Sequence, residues 1–269
     1  MPNAFASLSW IVRARGRDDS LDSTEGLFLT LKRTLVNSTL RFVANMICRV
    51  DDEQLAKVPD HGPLILVANH VNFLEVPIVF LHLQPRPVTG YVKASNWRNP
   101  FFRFLFDLWE GIPLQRGEAH MSAFRRGLTA LAKGQILAVA PEGTRSGDGR
   151  LQEALPGVVV TALHSGAPLL PLVYYGAEHY RENLLRLRRT PFRIVVGDPF
   201  FLHTNGLPVT REIRRRMTDE IMYQLAALLP PQYRGVYSNL DEATEEFLRF
   251  APPAESNLRR AQAPSGLSA

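Results

Sequence analysis

The chain has 269 residues, of which 45% are hydrophobic, which is enough for one sizeable α/β domain with a packed core. Its one cysteine, Cys48, excludes a disulfide framework and argues against a thiolate-bound metal, so we expect a reducing compartment. No stretch approaches the roughly 20 apolar residues that span a bilayer, and no secretory signal pattern is present, so we expect neither a spanning nor a secreted protein.

The net charge of +5 has its largest local contribution in one basic segment. Between Tyr180 and Arg216 the chain has nine arginines and three acidic residues. A solvated face fits this pattern about as well as an anion-facing surface, which would serve phospholipid headgroups or an acidic carrier or cofactor. We do not expect a nucleic-acid partner, because no aromatic-interleaved basic stretch and no nucleic-acid motif accompanies the charge.

Four zones follow one another along the chain. Residues 1–26 are polar and irregular, which predicts a mobile leader. Residues 27–58 predict an amphipathic helical segment of one or two helices, since apolar residues recur at helical spacing with basic residues between them; it either packs on the core or contacts a membrane interface. Residues 59–240 predict the main domain, and residues 241–269, rich in Pro, Ala and Ser, a partly disordered C-terminal tail.

The main domain alternates short apolar, β-rich runs with helix-patterned stretches. The runs are PLILVAN, QILAVAP, PLLPLVYYG and FRIVVGDP, each bounded by Pro, Gly or Asn. This alternation predicts an α/β fold, with a mainly parallel central sheet flanked by helices and the amphipathic helical segment at its N-terminal side.

The stretch NHVNFLE places His70 at the carboxyl end of the predicted strand PLILVAN, where open α/β sheets bind ligands. A histidine acts as a general base when a carboxylate holds its ring in one tautomer, and Glu75 can be that carboxylate. The same residues fit a capping box, in which Asn72 caps the helix and Glu75 reaches back to the backbone N–H of the cap. These residues alone favour the cap somewhat.

Three further stretches contain candidate residues. In APEGTRS, Glu142, Gly143 and Arg145 follow a predicted strand; arginine forks phosphate and glycine lets the backbone approach, although a surface turn has the same pattern. In GIPLQR, Arg116 follows an apolar run. In APLLPLVYYG, Pro171 lies at a strand entrance, which favours topology over chemistry.

Motifs of several other enzyme classes are missing from the sequence. It has no G-x-S-x-G, G-x-G-x-x-G, G-x-x-x-x-G-K-[ST] or H-E-x-x-H pattern. Serine hydrolases, dinucleotide enzymes, P-loop enzymes and zincins therefore lose support.

In this order, NHVNFLE, GIPLQR, APEGTRS and APLLPLVYYG resemble the four motifs of the glycerophospholipid acyltransferase family, which includes the 1-acylglycerol-3-phosphate acyltransferases. The resemblance covers about residues 62–237. It implies that residues 59–240 are a catalytic domain that moves an acyl group from acyl-CoA or acyl carrier protein to the hydroxyl of a lysophospholipid, 1-acylglycerol-3-phosphate above all, in phospholipid biosynthesis. It also implies no bound cofactor, no metal and a peripheral or monotopic position on an anionic membrane surface, at the cytoplasmic face.

The resemblance also implies roles for individual residues. His70 would remove the proton from the acceptor hydroxyl, and Glu75 would orient His70, with no covalent acyl-enzyme. The implied substrate-binding residues are Asn69, Arg116, Glu142, Gly143, Thr144, Arg145 and Pro171. Arg116 and the residues of the third motif would bind the phosphate and glycerol of the acceptor, whereas Pro171 would shape the acyl-donor side.

The sequence departs from the family pattern in three places. Glu75 stands where the family has aspartate, which lengthens the arm by one methylene and is expected to shift the backbone or loosen the pair. Glu110 stands where the second motif usually has glycine, which makes a neutral or cationic acceptor conceivable. The stretch LQEALPG replaces a basic and aromatic run, so donor or acceptor preference is expected to differ.

Three alternative functions stay open from the sequence. The acceptor can be a lysophospholipid other than the phosphatidate precursor. The same His-Glu pair can hydrolyse a thioester with water as the acceptor. The chain can also be a non-catalytic lipid-binding protein at the membrane, in which Glu75 only caps a helix.

Overall fold

The structure is a computed structural model that describes residues 24–115 and 121–262. Most of the predicted leader, up to residue 23, lies outside the described residues. So do the candidate Arg116 and residues 263–269 of the predicted tail.

Within the described residues, helices and strands alternate through most of the chain. The helices are α1 (Thr24–Ile47), α2 (Glu75–His82), α3 (Pro100–Leu108), α4 (Met121–Ala132), α5 (Gly157–Ser165), α6 (Tyr180–Leu185), α7 (Arg211–Leu228) and α8 (Asn257–Gln262). The strands are β1 (Cys48–Asp51), β2 (Leu64–Ala68), β3 (Val88–Lys93), β4 (Ile112–Leu114), β5 (Ile136–Val139), β6 (Leu169–Tyr175), β7 (Thr190–Val196), β8 (Phe201–Leu202) and β9 (Leu248–Arg249).

Seven strands of the described residues form one sheet in the order β1-β7-β6-β2-β5-β3-β4. The strands β6, β2, β5, β3 and β4 are all parallel to one another. Strand β7 is antiparallel to β6, and β1 is parallel to β7. The predicted α/β fold with a mainly parallel sheet is confirmed, and the four predicted apolar runs coincide with β2, β5, β6 and β7.

The central strand β2 is buried on both faces, as parallel sheets covered by helices require. Ile65 and Val67 belong to a core shared with α4, α5 and α7. Leu64 and Leu66 belong to a second core, against which α1 and α2 pack. The continuous apolar run of β2 follows from this double burial, and it ends where the first polar residue, Asn69, begins the loop that leads to His70.

The N-terminal segment is one long helix followed by a strand. The sequence predicts helical structure through this region, but the chain leaves α1 at Ile47, and Cys48 pairs with Thr190 as the first residue of β1. The helical prediction is wrong for β1 because its apolar side chains join the sheet edge instead of extending the helix. The side chains on one face of α1 pack on the core. The exposed large apolar residues of α1 are Leu31, Leu35, Phe42, Val43 and Met46.

The two uses proposed for the amphipathic segment are therefore compatible, since one face is packed and another is free. No helix within residues 24–115 or 121–262 is both long and apolar enough to cross a membrane.

The folded domain continues past the predicted boundary at residue 240. Strand β9 pairs with β8, and α8 packs on α7. Phe247 and Leu258 are buried in the core of the main domain. Glu220 on α7 fixes the connecting segment, because its carboxylate accepts hydrogen bonds from the backbone N–H groups of Glu246 and Phe247, both at 2.9 Å.

Candidate active site

The candidate residues meet at the carboxyl edge of the parallel strands. Asn69 and His70 follow β2, and Glu142 follows β5. Leu172 of β6 is in register with Ala68 of β2, so the end of β6 lies beside the loop that contains His70. This edge is where open α/β sheets present ligand-binding loops.

His70 and Glu75 form a close pair. The distance from Nδ1 of His70 to Oε2 of Glu75 is 3.1 Å, and the side chains are 23% and 1% exposed, respectively. Because a carboxylate only accepts hydrogen bonds, this contact assigns the proton to Nδ1 and leaves Nε2 with a free lone pair. A partly exposed imidazole in this tautomer is suited to take a proton from a bound hydroxyl.

The second carboxylate oxygen of Glu75 serves the helix start. Oε1 accepts a hydrogen bond from the backbone N–H of Asn72, which is the reach-back half of a capping box. The side chain of Asn72 makes other contacts: Oδ1 accepts from the backbone N–H of Leu74 at 2.9 Å, and Nδ2 donates to the carbonyl of Ala177 at 3.0 Å. The reach-back bond and the contact with His70 thus coexist, one on each oxygen of Glu75, although α2 begins at Glu75 itself, so Asn72 is not its N-cap residue.

Burial makes Glu75 unusual in its titration. Desolvation raises the pKa of Glu75 above its ordinary value, and hydrogen bonds from His70 and from the backbone N–H groups of Asn72 and Val71 oppose this rise. A buried carboxylate is stabilised most when its neighbour is positively charged. Glu75 therefore favours the imidazolium that forms when His70 accepts a proton.

Glu142 braces the backbone at His70. Its Oε1 accepts a hydrogen bond from the backbone N–H of His70 at 2.8 Å, and its Oε2 accepts one from the backbone N–H of Gln152 at 3.0 Å. The His70 carbonyl in turn accepts from the N–H of Ser146 at 2.8 Å. The loop after β5 is therefore fastened to the loop after β2 at both polar groups of one residue. Substrate binding by Glu142 stays a prediction.

Asn69 also makes internal contacts. Its Nδ2 donates to the Tyr174 carbonyl and its Oδ1 accepts from the Tyr174 N–H, both at 3.0 Å. The side chain is buried, and these two bonds extend the ladder between β2 and β6 by one step. Both ends of the amide are engaged by backbone, and the predicted contact with substrate stays a prediction.

The exposed part of the site is the turn from Gly143 to Arg145. Gly143 has a φ of 65°, and a Cβ there would lie 2.9 Å from Cδ1 of Leu155, so the turn requires glycine. Thr144 and Arg145 are exposed, and within the described residues the Arg145 guanidinium has no carboxylate partner. This cation lies on the loop that is fastened to His70.

Pro171 lies within the sheet and not in the loop that holds the pair. Pro171 is buried in β6, in register with Val67, and its carbonyl accepts a hydrogen bond from the N–H of Gly197 at 2.9 Å. Its role on the donor side stays a prediction. Arg116 lies outside the described residues. Among those that are described, no group of three or more His, Cys, Asp and Glu residues is arranged to hold a metal ion.

Several residues that support the site were not predicted from the sequence. Gln152, Ser146 and Tyr174 act through their backbone groups, and such roles leave no mark in the choice of side chain. Asn72 was recognised as a capping residue, but its contact with Ala177, 105 residues later, depends on the fold.

Comparison with known proteins points to one enzyme family. The family model described as Acyltransferase matches residues 49–175. Over these residues the chain is similar to the acyltransferase family.

Individual relatives of this acyltransferase are distant. It is 22% identical over 189 residues to a 1-acyl-sn-glycerol-3-phosphate acyltransferase of Pseudomonas aeruginosa, covering 69% of this chain and 72% of that protein. It is 28% identical over 134 residues to a protein of the same name from Limnanthes alba, covering 48% of this chain and 47% of that protein. It is also 28% identical over 163 residues to an N-acylphosphatidylethanolamine synthase of Arabidopsis thaliana, covering 52% and 57%. The match therefore spans only about half the length of the plant relatives.

A solved structure shares the fold of this acyltransferase. The crystal structure of the 1-acyl-sn-glycerophosphate acyltransferase PlsC from Thermotoga maritima superposes with a TM-score of 0.50 at 20% identity, covering 81% of this chain and 86% of that one. This likeness concerns the α/β architecture and the order of its elements.

The structure accounts for the first departure of this acyltransferase from the family pattern. Glu75 is the first residue of α2, and its longer arm still reaches Nδ1 of His70. The expected loosening of the pair is not seen.

The second departure, Glu110, lies away from the pair. The carbonyl of Glu110 accepts a hydrogen bond from the hydroxyl of Thr89 in β3. Thr89 is in register with Leu137 of β5, which is in register with Ile65 of β2, five residues before His70. The carboxylate of Glu110 lies 3.7 Å from the guanidinium of Arg33 in α1. An effect of Glu110 on the choice of acceptor stays a prediction.

The third departure, LQEALPG, supports the turn of this acyltransferase. The N–H of Leu155 donates to the Pro141 carbonyl at 2.8 Å, and the Leu155 side chain covers Gly143. Together with the hydrogen bond from the Gln152 N–H to Glu142, these contacts hold the loop after β5 in its conformation.

Replacing Glu142 by Gln is expected to change how stability depends on pH. Burial raises the pKa of Glu142 from 4.5 to about 7, so between these values the folded protein binds more protons than the unfolded chain. The free energy of unfolding of the wild type therefore falls as the pH rises through this window, by on the order of 3 kcal/mol, and Glu142→Gln lacks this part of the fall. Thermal melts from pH 5 to 8 test this; parallel curves for the two proteins would contradict it.

Proposed function

We propose that this acyltransferase moves a fatty acyl group from an acyl thioester to the free hydroxyl of a lysophospholipid, with 1-acylglycerol-3-phosphate as the preferred acceptor. The observation that supports this most directly is the contact of His70 Nδ1 with the buried Glu75 at the ligand-binding edge, beside the exposed Arg145. The names of several relatives support the choice of acceptor.

In the proposed reaction, Nε2 of His70 removes the proton from the acceptor hydroxyl as the oxygen attacks the thioester carbonyl carbon. The new C–O bond forms, the C–S bond breaks, and the leaving thiolate takes the proton back from the imidazolium. Glu75 holds the proton on Nδ1 throughout and stabilises the positive ring. No covalent acyl-enzyme is needed, because the acceptor oxygen attacks the donor directly.

The position of His70 depends on its neighbours. Glu142 and Ser146 hold the N–H and the carbonyl of His70, and Asn69 holds the preceding residue to β6. A general base must lie within hydrogen-bond reach of its proton, and small displacements slow the reaction strongly. We assign Glu142 and Asn69 as positioning residues in this reaction.

The phosphate of the acceptor is assigned to the turn after β5. The guanidinium of Arg145 offers paired donors to phosphate oxygens, and Gly143 lets the backbone approach. Thr144 adds a hydroxyl, and Arg116 completes the cationic site in this proposal. The donor is acyl-CoA or acyl carrier protein, and Pro171 is assigned to its side of the site.

The enzyme is proposed to work as a peripheral or monotopic protein on the cytoplasmic face of a membrane. Its lipid acceptor resides there, and the exposed apolar residues of α1 give it a means of contact.

His70→Ala and Glu75→Gln are each expected to lower kcat at least about 100-fold. Alanine removes the base. Glutamine keeps an oxygen for the Asn72 N–H but turns an N–H₂ donor toward Nδ1, which forces the ring proton onto Nε2. Thiol release and lipid product are measured with palmitoyl-CoA, with and without 1-acylglycerol-3-phosphate and other lysophospholipids. His61→Ala, an exposed histidine paired only with Asp60, is the control and is expected to retain activity.

Full activity of both variants would contradict the proposed roles of His70 and Glu75. Thiol release that needs no acceptor would identify a thioesterase. Complete inactivity of the wild type with palmitoyl-CoA and with palmitoyl-acyl carrier protein, at every acceptor, would favour a lipid-binding protein.

Arg145→Gln is expected to raise the KM for 1-acylglycerol-3-phosphate about tenfold, while the KM for the acyl donor changes little, because a charged hydrogen bond to phosphate contributes on the order of 1.5–3 kcal/mol. Initial rates over a range of acceptor concentrations measure this. Arg259→Gln, on the exposed surface of α8, is the matched control. An unchanged acceptor KM in Arg145→Gln would remove this residue from the phosphate site.

A further inference from the structure

The connection between α6 and β7 exposes large apolar side chains. We call residues 184–189 the α6 tip. Leu185 and Leu187 are 87% and 94% exposed, and Leu184 is also exposed. Single exposed leucines are common on protein surfaces, but a cluster on one projecting turn marks a contact site.

Arginines surround these leucines. Arg186 and Arg188 are exposed, and neither has a carboxylate partner among the described residues. Apolar side chains flanked by unpaired arginines match the interface of an anionic bilayer, where leucine enters the acyl region and guanidinium groups meet lipid phosphates.

The α6 tip lies at the same edge of the sheet as His70. Asn72, two residues after His70, donates to the carbonyl of Ala177, which precedes α6. The ring of Phe73 packs edge-on against Tyr180, the first residue of α6, with ring centroids 5.9 Å apart. Phe73 is itself partly exposed, so exposed apolar side chains lie both at the α6 tip and on the loop that holds His70 and Glu75.

The C-terminal end of α1 is joined to the α6 tip. The guanidinium of Arg189 donates two hydrogen bonds to the carbonyl of Cys48, at 2.9 and 3.3 Å, directly after the last residue of α1. Phe42, Val43 and Met46 are exposed on the last turns of that helix. Two apolar surfaces from distant parts of the sequence thus lie next to each other.

We propose that the α6 tip inserts into an anionic phospholipid bilayer. Together with the end of α1, it places the membrane surface beside the edge of the sheet that contains His70. The role in lipid delivery rests on the proposed function, whereas the binding itself does not. A bilayer fits better than an acidic carrier protein, because exposed apolar residues occur at the α6 tip, on the last turns of α1 and at Phe73, more widely than a charge-based docking site requires.

Leu185→Glu tests the insertion, with Leu207→Glu as the matched control. Leu207 is also exposed, at 42%, but it follows β8, near the start of β6 at the opposite edge of the sheet. Binding of the full chain is measured by cosedimentation with vesicles of phosphatidylglycerol and phosphatidylcholine. Leu185→Glu is expected to weaken binding to the mixed vesicles on the order of tenfold, since a buried leucine becomes a charge. Leu207→Glu should remain within twofold of the wild type.

The arginines are tested separately. Arg186→Gln combined with Arg188→Gln is expected to weaken binding to phosphatidylglycerol vesicles severalfold and to leave the weaker binding to pure phosphatidylcholine unchanged. High salt should reduce the difference between wild type and this variant.

The outcomes separate this inference from the proposed function. Weaker vesicle binding in Leu185→Glu supports insertion even if the protein proves inactive with every acceptor. Vesicle binding equal to that of the wild type overturns it. Unchanged vesicle binding together with a raised KM for acyl carrier protein also overturns it and assigns the α6 tip to a protein partner.

Discussion

The contact between Nδ1 of His70 and the buried carboxylate of Glu75 is the interaction on which the site depends. It fixes the tautomer of the imidazole, would compensate the positive charge that the proposed reaction places on the ring, and ties the loop after β2 to the first turn of α2. Because Glu75 is almost fully buried, its charge is stabilised mainly by His70 and by backbone N–H groups. Loss of the imidazole would leave a buried charge poorly compensated, so the chemistry and the local fold are coupled.

The rest of the edge serves to hold this pair in place. Parallel strands bring the ends of β2, β5 and β6 to one side, where Asn69 exchanges hydrogen bonds with the backbone of Tyr174 and Glu142 accepts one from the backbone N–H of His70. These side chains act on backbone groups, so they restrict the position of His70 without occupying its free nitrogen. The exposed groups, Arg145 and Thr144, remain on the solvent side, which is where the proposed phosphate-bearing acceptor would bind. An internally braced base next to an open cationic turn suits transfer to a polar headgroup.

Much of the fold was predictable because buried parallel strands leave continuous apolar runs between turn residues, as β2, β5 and β6 do. The contact between His70 and Glu75 was predictable from their spacing, but the two contacts of Glu75 were not: the sequence offered a capping role and a pairing role as alternatives, whereas one oxygen of Glu75 contacts His70 and the other accepts from the Asn72 N–H. The backbone contacts of Asn69 and Glu142 were not predicted because their partners lie far away in the sequence, and the substrate-binding roles that the family resemblance implies for these residues stay predictions. Strand β1 and the segment that contains Phe247 were mispredicted, since pairing and burial there depend on tertiary contacts rather than on local pattern.

The tautomer of His70 tests the central claim most directly. Nitrogen NMR of protein with labelled histidine, with the His70 signals assigned by comparison with a His70→Asn variant, reports which ring nitrogen carries the proton at a pH where the ring is neutral. The account predicts a protonated Nδ1 and an unprotonated Nε2, and in Glu75→Gln it predicts the opposite. An Nε2–H tautomer in the wild type, or the same tautomer in both proteins, would contradict the assignment of Glu75 as the residue that prepares His70 to act as a base.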